Sequence, residues 1–503
     1  MKRIAFDLGA SSGKMMLGEF DGERLQTQII HRFPNRQVNV GGDLYWDILG
    51  IYTNITEGIR KGRVLAGEAI GSLGMDSYCN DFGLIGKNGD LVTQMRCYRD
   101  PRMARMSDEI YRKVGREELH RMTGNQNATF NTVIQLAAMI LEGEGYLLEN
   151  SSRLLHLPDL LTYFLTGHMY SEYTIASVTQ MFDFRTNDWH REITKRLGIP
   201  THILGPVIEP GVAAGVFTEH GAREIGVEKI KVIAVGEHDT ASAIAALPLT
   251  HKNAAYISSG TWSLMGVETE KPIINEDTFR YNIAIEGGVE HRYRMLKNIM
   301  GLWLVQECRL EYAKMKKEYD FEELSKLAEK EQPFRSLVDP DDPVFYMPGN
   351  MLEKIRDYCT ASGQPVPERP GQYIRAVKES LAFKYRWVME TLEKIRGEEI
   401  QTIHILGGGG LDLLLNQFTA NACGRPVYAG PVEAALMGNF LMQMKAEGEI
   451  TNISQGREIL SKSTDINCFY PENITDWEEH YQYFKTICDR GTIKRCDCFR
   501  NRI

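Results

Sequence analysis

Ala234-Val-Gly-Glu-His-Asp-Thr-Ala-Ser-Ala-Ile-Ala-Ala-Leu247 decides how this chain is read. The apolar run Ile230 to Val235 predicts a short strand that enters a charged turn holding His238, Asp239 and Thr240. An Ala-rich helix follows, over Thr240–Ala246. A carboxylate at a strand-to-helix switch lies at the rim of an open α/β sheet, where such folds place their chemistry. Asp239 is therefore a candidate general base. A plainer role stays open beside it, because Asp is also a favoured N-cap.

Working outward, 503 residues with 43% hydrophobic content predict two or three domains with large cores. A net charge of -9 gives no global basic footprint for nucleic acid. Nine cysteines lack metal-ligand spacing, and the one close pair, Cys496 and Cys498, has no His at zinc-finger distance. Reduced thiols are expected. Met1-Lys-Arg-Ile-Ala-Phe-Asp7 puts an acid where a signal peptide needs an apolar run. Val133 to Leu141 is too short to span a bilayer and is broken by Gln135. A cytoplasmic protein without membrane or nucleic-acid partners is expected, as a monomer or weak homo-oligomer.

Lys2 to Phe20 reads as strand, tight turn, strand. The turn Asp7-Leu-Gly-Ala-Ser-Ser-Gly-Lys14 is rich in small residues whose N–H groups can converge on an anion. It is not a Walker A loop: the interval from Gly9 to Gly13-Lys14 is one residue short, and Met15 stands where Ser or Thr is needed. Asp7 suits a hydrated Mg²⁺, which uses few carboxylates. An ordinary hairpin with a polar tip is the alternative. Asp76-Ser-Tyr-Cys-Asn-Asp-Phe82 combines acids, an amide and aromatic rings, as a polyol-binding loop would, or else forms a polar loop over buried rings. Helices are expected over Thr53–Lys61, Ser107–Met122, Asn131–Glu142 and Asp159–Leu165, the last closed by Gly167.

After Leu247 the opening pattern of the chain begins again. Asn253 to Glu268 repeats the opening pattern, with a Ser258-Ser-Gly-Thr261 turn between apolar strands. The repeat predicts an internal duplication, with lobes over 1–247 and 248–460 and a C-terminal segment over 461–503 that ends in a basic tail. Thr261 offers a hydroxyl and an N–H to a phosphate. Asn298, placed near a helix start after a strand Tyr293–Leu296, and Gln306 further along could reach nucleotide or sugar, or only cap and solvate the helix. Val377–Arg396 is an amphipathic core helix stopped by Gly397. Thr402–Leu406 runs into Gly407-Gly-Gly-Gly410 and a helix Leu411–Cys423. Strand, glycines, helix lets a backbone approach a nucleotide. Asp412 breaks the dinucleotide fingerprint, which argues against NAD.

These parts together suit phosphoryl transfer, which needs phosphate-binding donors, a base at the accepting hydroxyl and exclusion of water. The runs Asp7–Gly13, His238–Ala243, Tyr256–Gly266, Leu296–Trp303 and Ala429–Ala434 also resemble the FGGY carbohydrate kinases, over nearly the whole chain. The resemblance implies an α/β fold of two actin-like (ribonuclease-H-like) lobes with an interlobe catalytic cleft. It implies transfer from ATP, with Mg²⁺, to O1 of a ketose. L-rhamnulose is the first expectation, with L-fuculose, L-ribulose or L-xylulose as alternatives. A non-transferring nucleotide-binding protein on the same fold is a remoter one.

By position, the resemblance implies that Ala10, Ser11, Ser12, Gly13 and Lys14 contact ATP phosphates, and that Asp7 serves the metal. Asp239 is the implied base. Cys79, His238, Thr240 and Asn298 are implied at the sugar, and Thr261, Gln306 and Gly409 at the nucleotide. Lys14 replaces the usual Arg, keeping charge without the planar fork. The family pattern Asp-Thr-Trp-Gly-Val-Asp-Phe stands against Asp76–Phe82 here, so Cys79 occupies a substrate-contacting glycine position. Leu411-Asp412 replaces the usual Gln-Asn. Cysteines paired in some relatives lack partners here, with Ala376 opposite Cys359 and Thr419 opposite Cys423, so no disulfide is expected.

Overall fold

Two sheets repeat one strand order. In the first, Lys2–Leu8 pairs antiparallel with Ser12–Phe20, which pairs antiparallel with Leu25–Pro34. On its other side Lys2–Leu8 pairs parallel with Ser72–Ser77, which pairs parallel with Lys231–Ala234. The edge strand Val212–Val216 returns antiparallel. In the second sheet Ala254–Ser259 pairs antiparallel with Ser263–Thr269 and parallel with Thr402–Leu406. Thr402–Leu406 pairs parallel with Val427–Ala429, and Asn467–Phe469 closes that edge antiparallel. Hairpin, two parallel strands and an antiparallel edge occur in the same succession, so the duplication expected from the two Ser/Gly turns is present in the topology.

The structure is a computed structural model that describes residues 1–248 and 253–500, with side chains for all of these but 489–500. The Leu247–Asn253 boundary region thus lies partly outside the described residues, and the tail from Gly491, with Cys496 and Cys498, has no described side chains. Two compact units emerge. The first comprises Met1–Leu249, Glu268–Met295 and Ala434–Thr464, and the second Thr250–Val267, Leu296–Glu433 and Asp465–Ile503. The division is not contiguous: two segments after residue 247 belong with the N-terminal unit.

In the first unit both faces of the sheet are covered, which is why Ile4, Ala5 and Phe6 are all fully buried. Helix Ile48–Ala66 lies on one face, with Gly58 against Met15 and Phe6. It is longer than expected because Asp47 caps its start, accepting from the Gly50 N–H, and Gly67 at φ 68° closes its end. Helix Ala434–Ala446 lies against the sheet through Asn439 and Gln443, both fully buried. Gln443 donates to the Ile4 carbonyl at 2.9 Å. The same helix packs on helix Asp239–Ala245 so closely that a Cβ on Gly438 would stand 1.8 Å from the Ser242 carbonyl oxygen.

In the second unit, helix Pro370–Arg396 packs beside Leu413–Cys423, with Lys378 donating to Asp412 at 2.7 Å. Gly397, at φ 72°, ends the long helix as its sequence predicted.

Three local expectations need correction. The helix expected over Ser107–Met122 is two helices, Pro101–Lys113 and Arg116–Thr123, interrupted at Val114-Gly115 because glycine is a poor interior helix residue. The Asp239 cap alternative fails: His238 occupies the N-cap position of helix Asp239–Ala245 without a side-chain cap bond. Asn298 is not at a helix start. It lies on strand Tyr293–Ile299, and the helix begins at Trp303. No helix among the described residues is long and apolar enough to cross a membrane.

Candidate active site

Asp239 opens its helix at the C-terminal end of strand Lys231–Ala234, with one third of its side chain exposed. The turn before it is pinned from two sides. Ser77 N–H donates to the Glu237 carbonyl at 2.9 Å, joining the turn to the end of strand Ser72–Ser77. From the other side, His238 N–H donates to Thr174 Oγ1 at 3.2 Å, and Thr174 donates to Glu172 Oε2 at 2.6 Å. That same Glu172 oxygen accepts from the Glu237 N–H at 3.3 Å.

Burial raises the Asp239 carboxyl to about 6, opposed by the Thr240 hydroxyl, which donates to it at 3.1 Å. A carboxylate in that range is charged at neutral pH and still basic enough to accept a proton. His238 Nε2 stands 3.5 Å from Asp239 Oδ1. Its other nitrogen, Nδ1, accepts from Arg294 Nη2 at 3.0 Å. Arg294 also pairs with Glu286 at 3.1 Å, and both side chains are buried. Burial first, and the guanidinium second, hold the imidazole well below its usual pKa, so it is neutral.

Asp76 and Asp7 are register neighbours on parallel strands, and Lys14 lies opposite Asp7 on the hairpin. Asp76 is fully buried. Its Oδ2 accepts from Asn439 at 2.7 Å while its Oδ1 has no hydrogen-bond partner. Burial, then the Asp7 carboxylate, pushes its pKa well up. The turn between the hairpin strands carries Ala10 and Ser11, while Ser12, Gly13 and Lys14 open the second strand. Asn35 braces the turn, its side chain donating to the Gly9 carbonyl and its N–H to that of Ser11.

The loop after Asp76 is built over aromatic rings, with Trp46 and Tyr78 centred 4.8 Å apart and Tyr98 near both. Asp81 accepts from Trp46 Nε1 at 2.6 Å, Gln135 at 2.8 Å and the Tyr98 N–H at 2.9 Å, yet burial lifts it to about 7. Asn80 takes φ 79°, a left-handed conformation in which Asn is enriched. Its carbonyl accepts from Thr132 and Gln135. Cys79 is partly buried and receives a bond from the Asn80 amide at 3.1 Å. Burial, then the carboxylates of Glu286 and Asp239, keeps its thiol protonated.

In the second unit Thr261 donates to Gln306 at 3.3 Å. Helix Trp303–Lys314 is tied to the Ser/Gly turn by its first residues, with Leu302 N–H donating to the Gly260 carbonyl and Trp303 N–H to that of Thr261. Gly409 lies over the end of strand Ala254–Ser259, where a Cβ would meet Ser259 Oγ at 1.9 Å. Asp412 caps helix Leu413–Cys423 through the Leu415 N–H. Thr261, Gln306 and Gly409 thus share one hairpin-and-glycine neighbourhood, and Asn298 is on a strand of the same unit. Cys359 and Cys423 are both free thiols.

Sequence reading missed Arg294, Glu286, Glu172, Gln135 and Asn439. None adjoins the motif it serves. Arg294 in a strand and Asn439 in an apolar helix carry no local pattern that marks them. A charged or amide residue inside an otherwise buried element was the available signal, since such groups are buried only with partners.

The N-terminal domain of the FGGY family of carbohydrate kinases matches residues 3–246, and its C-terminal domain residues 255–447. A rhamnulokinase of Bacteroides thetaiotaomicron is 42% identical, covering 96% of this chain and 98% of its own length. One of Pectobacterium atrosepticum is 37% identical over 97% of both. The solved xylulose kinase of Lactobacillus acidophilus has the same fold at a TM-score of 0.81 and 14% identity, covering 97% of each chain. The chain belongs to the FGGY family of carbohydrate kinases.

Proposed function

We propose that this chain transfers the γ-phosphoryl group of ATP to O1 of L-rhamnulose, with Asp239 as general base. The observation that carries the reading is the Asp239 carboxylate: partly exposed, raised to about 6, and flanked by a neutral His238. The full-length likeness to rhamnulokinases supports the sugar. In the proposed step the sugar's O1–H donates to Asp239. The proton passes to the carboxylate as O1 attacks the γ-phosphorus in line, and ADP leaves. Base assistance of this kind contributes about 10²–10⁴-fold. Asp239 then returns its proton to solvent. His238, Thr240 and Asn298 orient the sugar, and Cys79 narrows the space that glycine leaves open in relatives. Ala10, Ser11, Ser12, Gly13 and Lys14 hold phosphates, while Thr261, Gln306 and Gly409 hold the rest of the nucleotide.

Mg²⁺ fits Asp7 and Asp76. The buried Asp76 Oδ1 without a partner, beside a second carboxylate, is a pair that a hydrated cation would satisfy. When bound, the cation neutralises charge on the β- and γ-phosphates.

The test is a panel of L-rhamnulose, L-fuculose, L-ribulose and L-xylulose with coupled detection of ADP. The highest kcat/KM is expected for L-rhamnulose. A higher value for another ketose removes the sugar assignment, and no turnover with any of them removes the kinase reading.

A further inference from the structure

We propose that Arg294 is a positioning residue that locks His238 as the Nε2–H tautomer, making the imidazole a permanent donor toward the sugar and leaving Asp239 as the sole proton acceptor. This rests on Asp239 as the base.

A guanidinium has five donors and no acceptor, and it stays protonated. With Arg294 Nη2 at 3.0 Å, His238 Nδ1 must present a lone pair. Neither the Nδ1–H tautomer nor an imidazolium can, since each would set N–H against N–H. The ring proton is therefore on Nε2, the nitrogen 3.5 Å from Asp239 Oδ1. That separation is longer than a normal hydrogen bond, so the N–H is available to a bound hydroxyl.

Arg294 is itself held in place. Its Nε donates to the Gly287 carbonyl at 2.9 Å, its Nη2 pairs with Glu286 Oε2 at 3.1 Å, and the residue is fully buried. Glu286 makes the lock necessary. Its Oε2 lies 3.6 Å from His238 Nδ1. Without the guanidinium, that carboxylate would draw the ring proton to Nδ1, and Nε2 would turn a lone pair toward Asp239. Two acceptors would then face the sugar hydroxyl, and the donor would be lost. The His238 backbone is fixed independently, through Thr174.

The experiment uses the full chain labelled with ¹⁵N-histidine and long-range ¹H–¹⁵N correlation. The chain has twelve histidines, and His238 is assigned by the signal lost in His238→Gln. The wild-type ring is expected to show the Nε2–H pattern throughout the range of about pH 6–8, where an ordinary His titrates. Arg294→Leu should shift it to Nδ1–H or imidazolium. It should also lower kcat by about 10²–10⁴-fold, as a wrong tautomer does elsewhere, with KM for ATP unchanged. Arg294→Lys keeps a cationic donor, and is expected to keep the Nε2–H pattern and to retain most of the wild-type rate.

A wild-type spectrum of the Nδ1–H form or of imidazolium overturns the proposal even if Arg294→Leu does not fold. So does an Arg294→Leu protein that retains both the Nε2–H pattern and wild-type kcat. The spectrum is taken without substrate. If no ketose is phosphorylated, the kinase reading fails on the turnover assay and the tautomer result stands apart from it.

Discussion

Acidification should switch this enzyme off with a midpoint near the Asp239 pKa. As the proposed base, Asp239 must be unprotonated to take up the sugar proton, so kcat/KM should rise with pH as the free enzyme loses that proton. Burial raises the group to about 6. A single site at that value is about 99% carboxylate at pH 8 and about 9% at pH 5, an elevenfold loss of kcat/KM between them. An ordinary aspartate near its reference value would still be about 90% ionised at pH 5 and would lose almost nothing. The assay is initial-rate ADP release at saturating ATP and limiting ketose over that range, with the coupling enzymes checked at each pH.

Thr240→Val sharpens the test. The Thr240 hydroxyl stabilises the carboxylate by donating to it at 3.1 Å, so its removal should move the acid limb to higher pH. Asp239→Asn should lose about 10²–10⁴-fold in kcat while nucleotide binding persists. An acid limb centred near pH 4, or one that moves down in Thr240→Val, refutes the account of burial and donation around Asp239. Full activity in Asp239→Asn refutes its role as base.

Gly438→Ala is expected to lower the thermal midpoint, because its Cβ would lie 1.8 Å from the Ser242 carbonyl and overpacking costs about 1–3 kcal/mol; an unchanged midpoint would deny the tight helix contact. Gly409→Ala should raise KM for ATP by about tenfold or more, roughly 1.4 kcal/mol, with the ketose KM little changed, and a change confined to the ketose would contradict its placement at the nucleotide. Stability should fall as pH rises from about 5 to 8. Asp81 and Glu379 at about 7 and Glu172 at about 8 are all raised by burial, so the folded chain binds more protons than the unfolded one. Their contribution is complete below the unfolded carboxylate range and is lost as pH passes through the folded values. Each group contributes about 1.4 kcal/mol per pH unit in that window. A thermal midpoint that climbs over this range runs against the sign.

Much of this protein could be read from short stretches of sequence. The hairpin at Asp7–Lys14, its counterpart at Ser258–Thr261, the strand Thr402–Leu406 and the glycine stops at Gly167 and Gly397 follow from turn chemistry, apolar runs and left-handed glycines. These act over a few residues, and the chain itself carries them. The placement of Asp239 at a strand-to-helix switch belongs to the same class.

Other features were decided only by the tertiary structure. Ala434–Thr464 returns to the N-terminal unit because Asn439 and Gln443 find partners on its sheet and because Gly438 lets two helices touch. Arg294 and Glu286 come beside His238 from more than forty residues away. Asn298 stays in a strand although the run after it turns helical. For the returning helix and the His238 neighbours the deciding energy is burial of a polar group with its partner, or close packing between distant segments. That energy depends on what lies opposite in space, which no window of neighbouring residues contains.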